Sequence, residues 1–264
     1  PANLKEHVKY PKDLFTVQAL MLNTYHMEDP QVFYNREDLW EFPQETYEES
    51  EKTMSPYYIV TKLPNAEKES FVLMLPFTPT NKNNMIAWLA ASSDLDTYGQ
   101  FTVLKLPKEK TIYGPMQIES RIDQDTEISK DLTLWGQMGS RVIRGNLMII
   151  PIEDSLLYVE PIYLQAETSK LPELKRVIVS YQDKVVMEKN LNEAIFSLFD
   201  FDSVIDKAIS VTTEVVQEVG GADLSVDQLI TLFETLKLSL ADQRWADFGV
   251  NMQQLEDAIE KLKQ

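Results

Sequence analysis

Cysteine is absent from this sequence of 264 residues, and histidine is almost absent, with only His7 and His26. A chain without cysteine forms no disulfide, no thiolate nucleophile, no iron–sulfur cluster and no cysteine-ligated zinc site. A Ser-His-Asp device needs a histidine base, and few are available here. His26, which stands beside Glu28 and Asp29, is kept as a candidate ligand or acid–base residue.

Basic residues are few relative to acidic ones. The sequence has 42 Asp and Glu against 25 Lys and Arg, which gives a formal net charge of −17 at pH 7. Such a charge repels phosphate backbones and anionic lipid headgroups, so it argues against nucleic-acid binding and against membrane attachment through basic patches. It keeps the protein soluble and favours cationic partners or divalent metals. We predict no cofactor and no metal site.

Long apolar runs and phosphate-binding loops are missing as well. The longest apolar runs, such as residues 71–75, fall far short of the roughly 20 residues that span a bilayer. There is no P-loop, dinucleotide fingerprint, nucleophile elbow or calcium-loop pattern. The sequence starts at Pro1 without a signal-peptide pattern, so we expect it to be an excised part of a longer protein.

A helical pattern opens the chain. Apolar residues recur at intervals of three and four over residues 11–25, so we expect an amphipathic helix there. The residues on its apolar side are Leu14, Val17, Met21 and Tyr25. Further helices are predicted at residues 115–137, which two glycines end, and at residues 190–199, where Asn190 and Glu193 resemble a capping box.

Strand-like runs rich in β-branched and aromatic residues make up much of the rest. The run at 101–106 ends at Pro107, which places it near a sheet edge. The runs that pair as three hairpins are 57–63 with 71–75, 141–150 with 156–164, and 174–181 with 185–188. The sequence therefore predicts an α+β fold with a mixed, mainly antiparallel sheet flanked by helices.

Two segments differ from the rest in composition. Residues 41–55 are acidic and contain proline, so we expect a solvated loop or mobile helix there rather than core. Residues 201–264 have helical patterns throughout, including two heptad-like helices that should pack as a hairpin. The sequence thus predicts an α+β domain at 1–200 and an appended helical module at 201–264.

Polar residues gather within and after the helix predicted at 115–137. They are Glu119, Arg121, Asp123, Asp125, Arg141, Arg144 and Asn146. Arginines in so acidic a chain should have acidic partners. The favoured interpretation is that they pair with Asp123 or Asp125 and hold the helix on the sheet. The alternative is that the same residues line a ligand pocket.

Several long strings of sequence carry a family resemblance. They include HMEDPQVFYNREDLW at 26–40, YGPMQIE at 113–119, SRVIRGNL at 140–147 and LPELKRVIV at 171–179. Together they closely resemble the C-terminal soluble part of uncharacterised protein family 0182, a family of large bacterial membrane proteins. The resemblance covers about residues 8–199 and, more loosely, a helical segment around 242–249.

The resemblance implies a location rather than a chemistry. Members of this family look like multi-pass membrane proteins with several N-terminal spans, followed by a large domain outside the cytoplasm. By this resemblance the chain would lie at the plasma membrane, on its extracytoplasmic side. Its first partner would be the membrane-spanning region of its own protein. The family has no established activity, so no catalytic residue is carried over.

Three functions are open at this point. The favoured hypothesis is a non-enzymatic extracytoplasmic interaction or sensing domain that binds a protein partner or an envelope ligand, with an arginine exposed in a concave surface. The second is a cell-envelope hydrolase that uses carboxylates or a divalent metal. It involves Asp123, Asp125 or His26 and predicts two carboxylates of raised pKa in one cleft. The third is a structural domain that forms homo-oligomers, which predicts a contiguous apolar patch.

Overall fold

The structure of the chain is a computed structural model. It describes residues 5, 7–48, 50–63, 66, 68–107, 111–137, 139–152, 155–166 and 171–199, together with 231–232, 234–235, 238–239, 250–251 and 254. Helices and antiparallel sheets are both present in this part of the chain, which confirms the predicted α+β class. The helices are Lys12–Tyr25 (α1), Pro30–Asn35 (α2), Pro115–Gln124 (α3), Thr126–Gln137 (α4) and Leu191–Phe199 (α5).

The strands are short at the start of the chain and long toward its end. They are Trp40–Glu41 (β1), Gln44–Tyr47 (β2), Ser50–Thr53 (β3), Tyr57–Thr61 (β4), Ser70–Pro79 (β5), Asn84–Met85 (β6), Ala87–Ser92 (β7), Phe101–Lys105 (β8), Ile112–Tyr113 (β9), Ser140–Arg144 (β10), Met148–Ile152 (β11), Ser155–Ala166 (β12), Glu173–Tyr181 (β13) and Lys184–Glu188 (β14).

The chain divides into two compact units. Unit 1 comprises residues 1–148 and 158–175, and unit 2 comprises 149–157 and 176–264. The boundary predicted at residue 200 lies outside the described residues. The few described positions between 231 and 254 are helical, and the helical module at 201–264 stays a prediction.

The core of unit 1 is an antiparallel sheet in the order β1-β5-β7-β8, with β4 also paired to β5. Residues 72–78 of β5 and all of β7 are buried, as is typical of strands covered on both faces. The predicted hairpin of β4 and β5 is confirmed, with Val60 opposite Phe71. β8 ends the sheet order, as its following proline predicted.

The helix predicted at 11–25 is confirmed as α1, but the side that it buries is not its broad apolar side. Phe15 and Ala19 are its fully buried residues. The ring of Phe15 stacks on that of Phe101 in β8, with 5.9 Å between centroids. Helical spacing predicts which residues share a side of a helix, but it does not predict which side meets the core.

The single long helix that the sequence predicts before residue 137 is in fact two, α3 and α4. Asp125 is extended, and its carboxylate accepts hydrogen bonds from the backbone N–H groups of Glu127 and Ile128 at 3.1 and 3.0 Å. It therefore ends α3 and caps α4. At the start of α3, a Cβ on Gly114 would lie 1.9 Å from the carbonyl oxygen of Asn83, so only glycine fits there.

The strand predicted at 141–150 is also divided. β10 pairs with the later part of β12, with Arg144 opposite Ile162, and then ends. Gly145 donates its N–H to the carbonyl of Pro161 at 2.9 Å, and a Cβ on Gly145 would lie 2.7 Å from Cγ of that proline. This close backbone approach separates β10 from β11.

Residues 41–55 do not form the solvated loop or mobile helix predicted for them. β2 and β3 pair there as an antiparallel hairpin, in which Glu45 lies opposite Lys52. Glu45 is fully buried, although acidic segments are usually solvated. The prediction is wrong because composition alone does not reveal that a cation and a backbone N–H group meet this carboxylate.

In unit 2, β13 and β14 form the predicted hairpin, with Val179 opposite Val186. The capped start of α5 is also confirmed. The side chain of Asn190 accepts the N–H of Glu193 at 2.9 Å and donates to its carboxylate at 2.7 Å. Local signals of this kind, a tight turn and a cap, need no partner from elsewhere in the chain.

Candidate functional site

Six charged side chains meet in unit 1, and we call them the Arg144 cluster. They come from α3, which supplies two, and from β2, β3, β10 and β12, which supply one each. The members are Glu45, Lys52, Glu119, Asp123, Arg144 and Glu160. Four carboxylates thus share two cations. Three of the carboxylates are almost inaccessible, with side-chain exposures of 0% for Glu45, 2% for Glu119 and 0% for Glu160.

Arg144 is the centre of this cluster. Its Nε and Nη2 donate to the two carboxylate oxygens of Glu160 at 2.6 and 3.0 Å, in a bidentate arrangement. Its Nη1 donates to Asp123 at 2.6 Å, and its Nη2 also donates to Glu119. Arg144 thus pairs with Asp123 and holds α3 against strands β10 and β12, as the favoured interpretation expects.

Glu45 and Lys52 bring the β2–β3 hairpin to the same place. The Nζ of Lys52 lies 3.7 Å from Oε1 of Glu45 and donates to Oδ1 of Asn146 at 3.3 Å. The other oxygen of Glu45 accepts the N–H of Leu147 at 3.1 Å. Within the described chain, Oε1 of Glu45 and Oε1 of Glu119 are buried and accept no hydrogen bond.

Burial changes the protonation equilibria of the cluster. Burial, together with the charge of Glu160, raises the pKa of Glu119 to about 8 despite the opposing effect of Arg144. Burial also raises the pKa of Glu160 and that of Glu45 above the usual range for glutamate. Burial alone would lower the pKa of Arg144, but its hydrogen bonds and ion pairs with Glu160 and Glu119 outweigh that effect and raise it.

A polar cleft of about 410 Å³ opens beside the cluster. Asp123 and Arg144 contribute to its wall, and Asp123 is the accessible carboxylate of the cluster, with 59% of its side chain exposed. Arg141 lines the same cleft and forms an ion pair with Glu48. The three buried carboxylates do not line the cleft, so a molecule inside it reaches only the outer edge of the cluster.

Two other predicted site residues on the helices lie outside the cluster. The guanidinium of Arg121 lies over the ring of Tyr113, 4.8 Å from its centroid, in a cation–π contact. Asp125 caps α4 with its carboxylate. Arg141 pairs with Glu48 rather than with Asp123 or Asp125, whereas Arg144 pairs with Asp123 as the favoured interpretation expects.

His26 belongs to a separate site. Its ring stacks on Trp40, with 3.6 Å between centroids, and its Nδ1 lies 2.9 Å from the carbonyl oxygen of Leu22. Its Nε2 lies 3.7 Å from Asp38, at the edge of a cavity of about 300 Å³. None of these contacts is with the Arg144 cluster. Across the described residues, no three His, Asp or Glu side chains are grouped so that they could hold a metal ion.

Three members of the Arg144 cluster, Glu45, Lys52 and Glu160, are missed by sequence reasoning. Glu160 could have been identified from the sequence, because a single acid inside a nearly continuous apolar strand must be paired or protonated. No sequence feature identifies Glu45 and Lys52. They stand in a segment whose composition is typical of a solvated surface.

A surface formed by α1 and α2 has the opposite character, and we call it the α1 surface. Its members are Leu14, Val17, Leu20, Met21, Tyr25, Phe33 and Tyr34. Their exposed fractions run from 38% for Phe33 to 87% for Tyr34. The ring centroids of Tyr25 and Phe33 lie 5.8 Å apart, so the apolar side chains of the two helices meet at this point.

The side of α1 that meets the core is apolar as well. Phe15 and Ala19 are fully buried there, and the partly buried Gln18 accepts a hydrogen bond from the hydroxyl of Tyr10 at 2.8 Å. A helix on a soluble domain ordinarily turns its apolar side to the core and its polar side to water. α1 exposes a second apolar side instead, which is the arrangement of a surface that another molecule covers.

No helix in the described part of the chain is long and apolar enough to cross a membrane. No solved structure is significantly similar to the chain. A sequence profile of the uncharacterised protein family UPF0182 matches residues 1–135.

Curated relatives extend this similarity over the whole chain. One from Pelotomaculum thermopropionicum is 50% identical over 99% of the chain, and one from Trichodesmium erythraeum is 47% identical over 100% of it. The chain spans only 29% and 28% of these two proteins. Both carry only the name UPF0182 protein. The chain therefore belongs to the uncharacterised protein family UPF0182, as the resemblance of its sequence strings predicts.

Proposed function

We propose that this chain is a non-enzymatic interaction domain of a longer membrane protein. It lies on the extracytoplasmic side and uses the α1 surface to bind another part of the same polypeptide. The membrane and the extracytoplasmic side rest on the resemblance to the family. The binding role rests on one observation, the broad apolar side of α1 that stays exposed although Phe15 and Ala19 already supply the side that meets the core.

The energetics of the α1 surface support binding. Fully burying a valine, leucine or methionine side chain stabilises a structure by about 1.5–3 kcal/mol relative to leaving it exposed. Leu14, Val17, Leu20 and Met21 are each 49–57% exposed, so about half of that remains to be gained at each position. A partner that covers all four would gain several kcal/mol, which is enough to hold two parts of one polypeptide together.

The partner is argued from the length of the relatives. The chain spans less than a third of their sequences, so the remaining part of such a protein is always present in equal amount and held nearby. A covalently connected partner has a high effective concentration, and therefore a surface of moderate size suffices. The members of the α1 surface carry no charge, which suits an uncharged and largely apolar partner surface.

A cell-envelope hydrolase receives less support. Its general acid must touch the substrate, whereas Glu119 and Glu160, the carboxylates with a raised pKa at the centre of the cluster, are buried and bound to Arg144. Asp123, the carboxylate that does face the cleft, is paired with the same arginine. His26 lies elsewhere, against Trp40.

The absence of cysteine makes a direct test simple, because one introduced thiol reports on one position. Val17→Cys places the thiol on the α1 surface, and Lys130→Cys on α4 is the matched control, since both native side chains are well exposed. In the isolated chain, both thiols should react with a water-soluble maleimide at similar rates. In the longer protein, with any cysteine outside these 264 residues replaced, the thiol at position 17 should react at least about tenfold more slowly, the protection that about 1.4 kcal/mol of docking gives.

Each other outcome contradicts the proposal in its own way. Equal reactivity of the two thiols in the longer protein shows that α1 stays uncovered. Protection of position 17 that grows with the concentration of the isolated chain identifies a second copy as the occupant and supports the oligomerisation hypothesis. If the thiol at position 17 of the isolated chain is protected from the maleimide only when lipid vesicles are added, the membrane surface is what covers α1.

A further inference from the structure

The charges of the Arg144 cluster do not balance. Among the described residues, the ionisable groups paired at its centre are Glu45 from β2, Lys52 from β3, Glu119 and Asp123 from α3, Arg144 from β10 and Glu160 from β12. Four negative charges against two positive ones leave an excess of two in a site where three of the acids are 0–2% exposed. A buried carboxylate without a counter-charge ordinarily takes up a proton rather than remain ionised.

The hydrogen bonds show which carboxylate is the best proton acceptor. Both oxygens of Glu160 accept from Arg144, so the ionised form of Glu160 is well stabilised. Asp123 is more than half exposed and is therefore solvated as well as paired. Glu45 has the amide of Leu147 and a nearby lysine.

Glu119 differs from these three. Glu45 also has a buried Oε1 that accepts no hydrogen bond, but Lys52 lies 3.7 Å from that oxygen, and no salt bridge of the described residues gives Oε1 of Glu119 such a cation. Arg144, whose guanidinium is shared by three carboxylates, donates to its Oε2, and the backbone N–H of Thr46 adds a weaker stabilisation. Its Oε1 is buried and accepts no hydrogen bond from the described residues. An orphaned buried oxygen of this kind carries a full desolvation penalty when it is charged.

We propose that the Arg144 cluster is a proton-binding site and that Glu119 carries the proton at neutral pH. The reaction is a reversible transfer: one proton from bulk water adds to Oε1 of Glu119, its O–H bond forms and one negative charge disappears. No other reactant is needed. The raised pKa of Glu119 agrees with this assignment, and because Glu119 and Glu160 are close to one guanidinium, they titrate as a coupled pair.

The proton has a structural consequence. While Glu119 is protonated, the guanidinium of Arg144 is neutralised chiefly by Glu160, and α3 is held against β10 and β12 without repulsion between the two glutamates. When the proton leaves, a second buried negative charge appears beside Glu160, and no further cation from these elements compensates for it. The attachment of α3 and of the β2–β3 hairpin is therefore strongest when the site is occupied.

Infrared spectroscopy tests the proposal on the 264-residue chain, because the C=O stretch of a protonated carboxylic acid is separate from the bands of a carboxylate. At neutral pH, where exposed carboxyl groups are ionised, we expect a protonated band that disappears between neutral and moderately alkaline pH. In Glu119→Gln this band should be lost. In Asp123→Asn, which removes a carboxylate one turn further along the same helix, the band should remain.

The wild-type spectrum keeps the proposal falsifiable even if a variant does not fold. No protonated band at neutral pH in the folded wild-type chain overturns it. A band that persists in folded Glu119→Gln and is lost in folded Glu160→Gln overturns the assignment of the proton to Glu119. Loss of the protonated band in Asp123→Asn alone would also overturn the assignment of the proton to Glu119.

Discussion

The α1 surface and the Arg144 cluster differ from an ordinary domain in opposite directions. On the α1 surface, apolar side chains such as Met21 and Tyr25 are exposed at 56% and 68%. In the Arg144 cluster, Glu45 and Glu160 are fully buried. Apolar residues outside and charged residues inside are both unfavourable by themselves. Among the described residues, the α1 surface is left uncovered, whereas the Arg144 cluster finds most of its partners within unit 1.

The two regions should therefore have different roles, the Arg144 cluster in the stability of the fold and the α1 surface in binding. The Arg144 cluster joins α3 to two strands and to a hairpin, so removing any part of it should destabilise the isolated chain. The α1 surface contributes little to the stability of the isolated chain because its side chains already lie in water. Substitutions in the two regions should give opposite results in stability and binding measurements.

The largest effect is expected for Arg144→Met. The variant leaves Glu119 and Glu160 buried without their shared cation, and breaking such a pair by removing one partner costs about 3–5 kcal/mol. Chemical denaturation of the isolated chain measures this loss. Arg141→Met is the matched control, since its ion pair with Glu48 is partly exposed and should be worth at most about 1 kcal/mol. Equal effects of the two substitutions would show that burial of the pair is not what matters.

A comparably large effect is expected on the other side of α1. Phe15→Ala removes a fully buried ring and should cost about 3–5 kcal/mol. Val17→Ser, two residues away on the exposed side, should change the free energy of unfolding of the isolated chain by no more than about 0.5 kcal/mol. Chemical denaturation of the isolated chain measures the free energy of unfolding of both variants. A cost of several kcal/mol for Val17→Ser would mean that α1 is covered already within this chain.

The effect of a change of one pH unit is smaller than that of Arg144→Met or Phe15→Ala. The pKa of Glu119 is about 8 in the folded chain, above the ordinary value of 4.5, so the folded state holds this proton more tightly than the unfolded state does. The contribution of the group to stability is therefore greatest below pH 4.5 and is lost as the pH rises to 8. In that window the free energy of unfolding should fall by up to about 1.4 kcal/mol per pH unit.

The matched variant isolates this contribution. In Glu119→Gln the titrating group is replaced by a neutral amide of similar shape, so the fall in stability between pH 5 and pH 8 should be reduced. Unfolding followed by circular dichroism at a series of pH values gives the slope for each protein. A slope that is the same in wild type and variant would remove Glu119 as its source.

Features set by neighbouring residues are the ones that sequence reasoning predicts well. The cap of α5 needs only Asn190 and Glu193, and the β4–β5 hairpin needs two short runs and a polar loop. The break at Gly145 could not be predicted, because it depends on contact with Pro161, sixteen residues further along the chain.

The distance between partners along the chain also explains which residues of the Arg144 cluster were predicted from the sequence and which were missed. Arg144 and Asp123 were predicted as partners because arginine in an acidic chain is conspicuous. Glu45 was missed because its partner Leu147 is about a hundred residues away, and nothing local distinguishes a buried glutamate from an exposed one. The side of α1 that faces outward was also unpredictable, because helical spacing is the same whichever side meets the core.

The most direct test of the central claim, that the α1 surface is covered by another part of the same polypeptide, is a site-specific cross-link. Met21→Cys in the longer protein is coupled to a photoactivatable group, irradiated and analysed by mass spectrometry, with Lys130→Cys as the control position. We predict a cross-link within one polypeptide, from position 21 to a segment outside these 264 residues, that position 130 does not give. A cross-link to a second copy, to lipid alone or to nothing would contradict the claim.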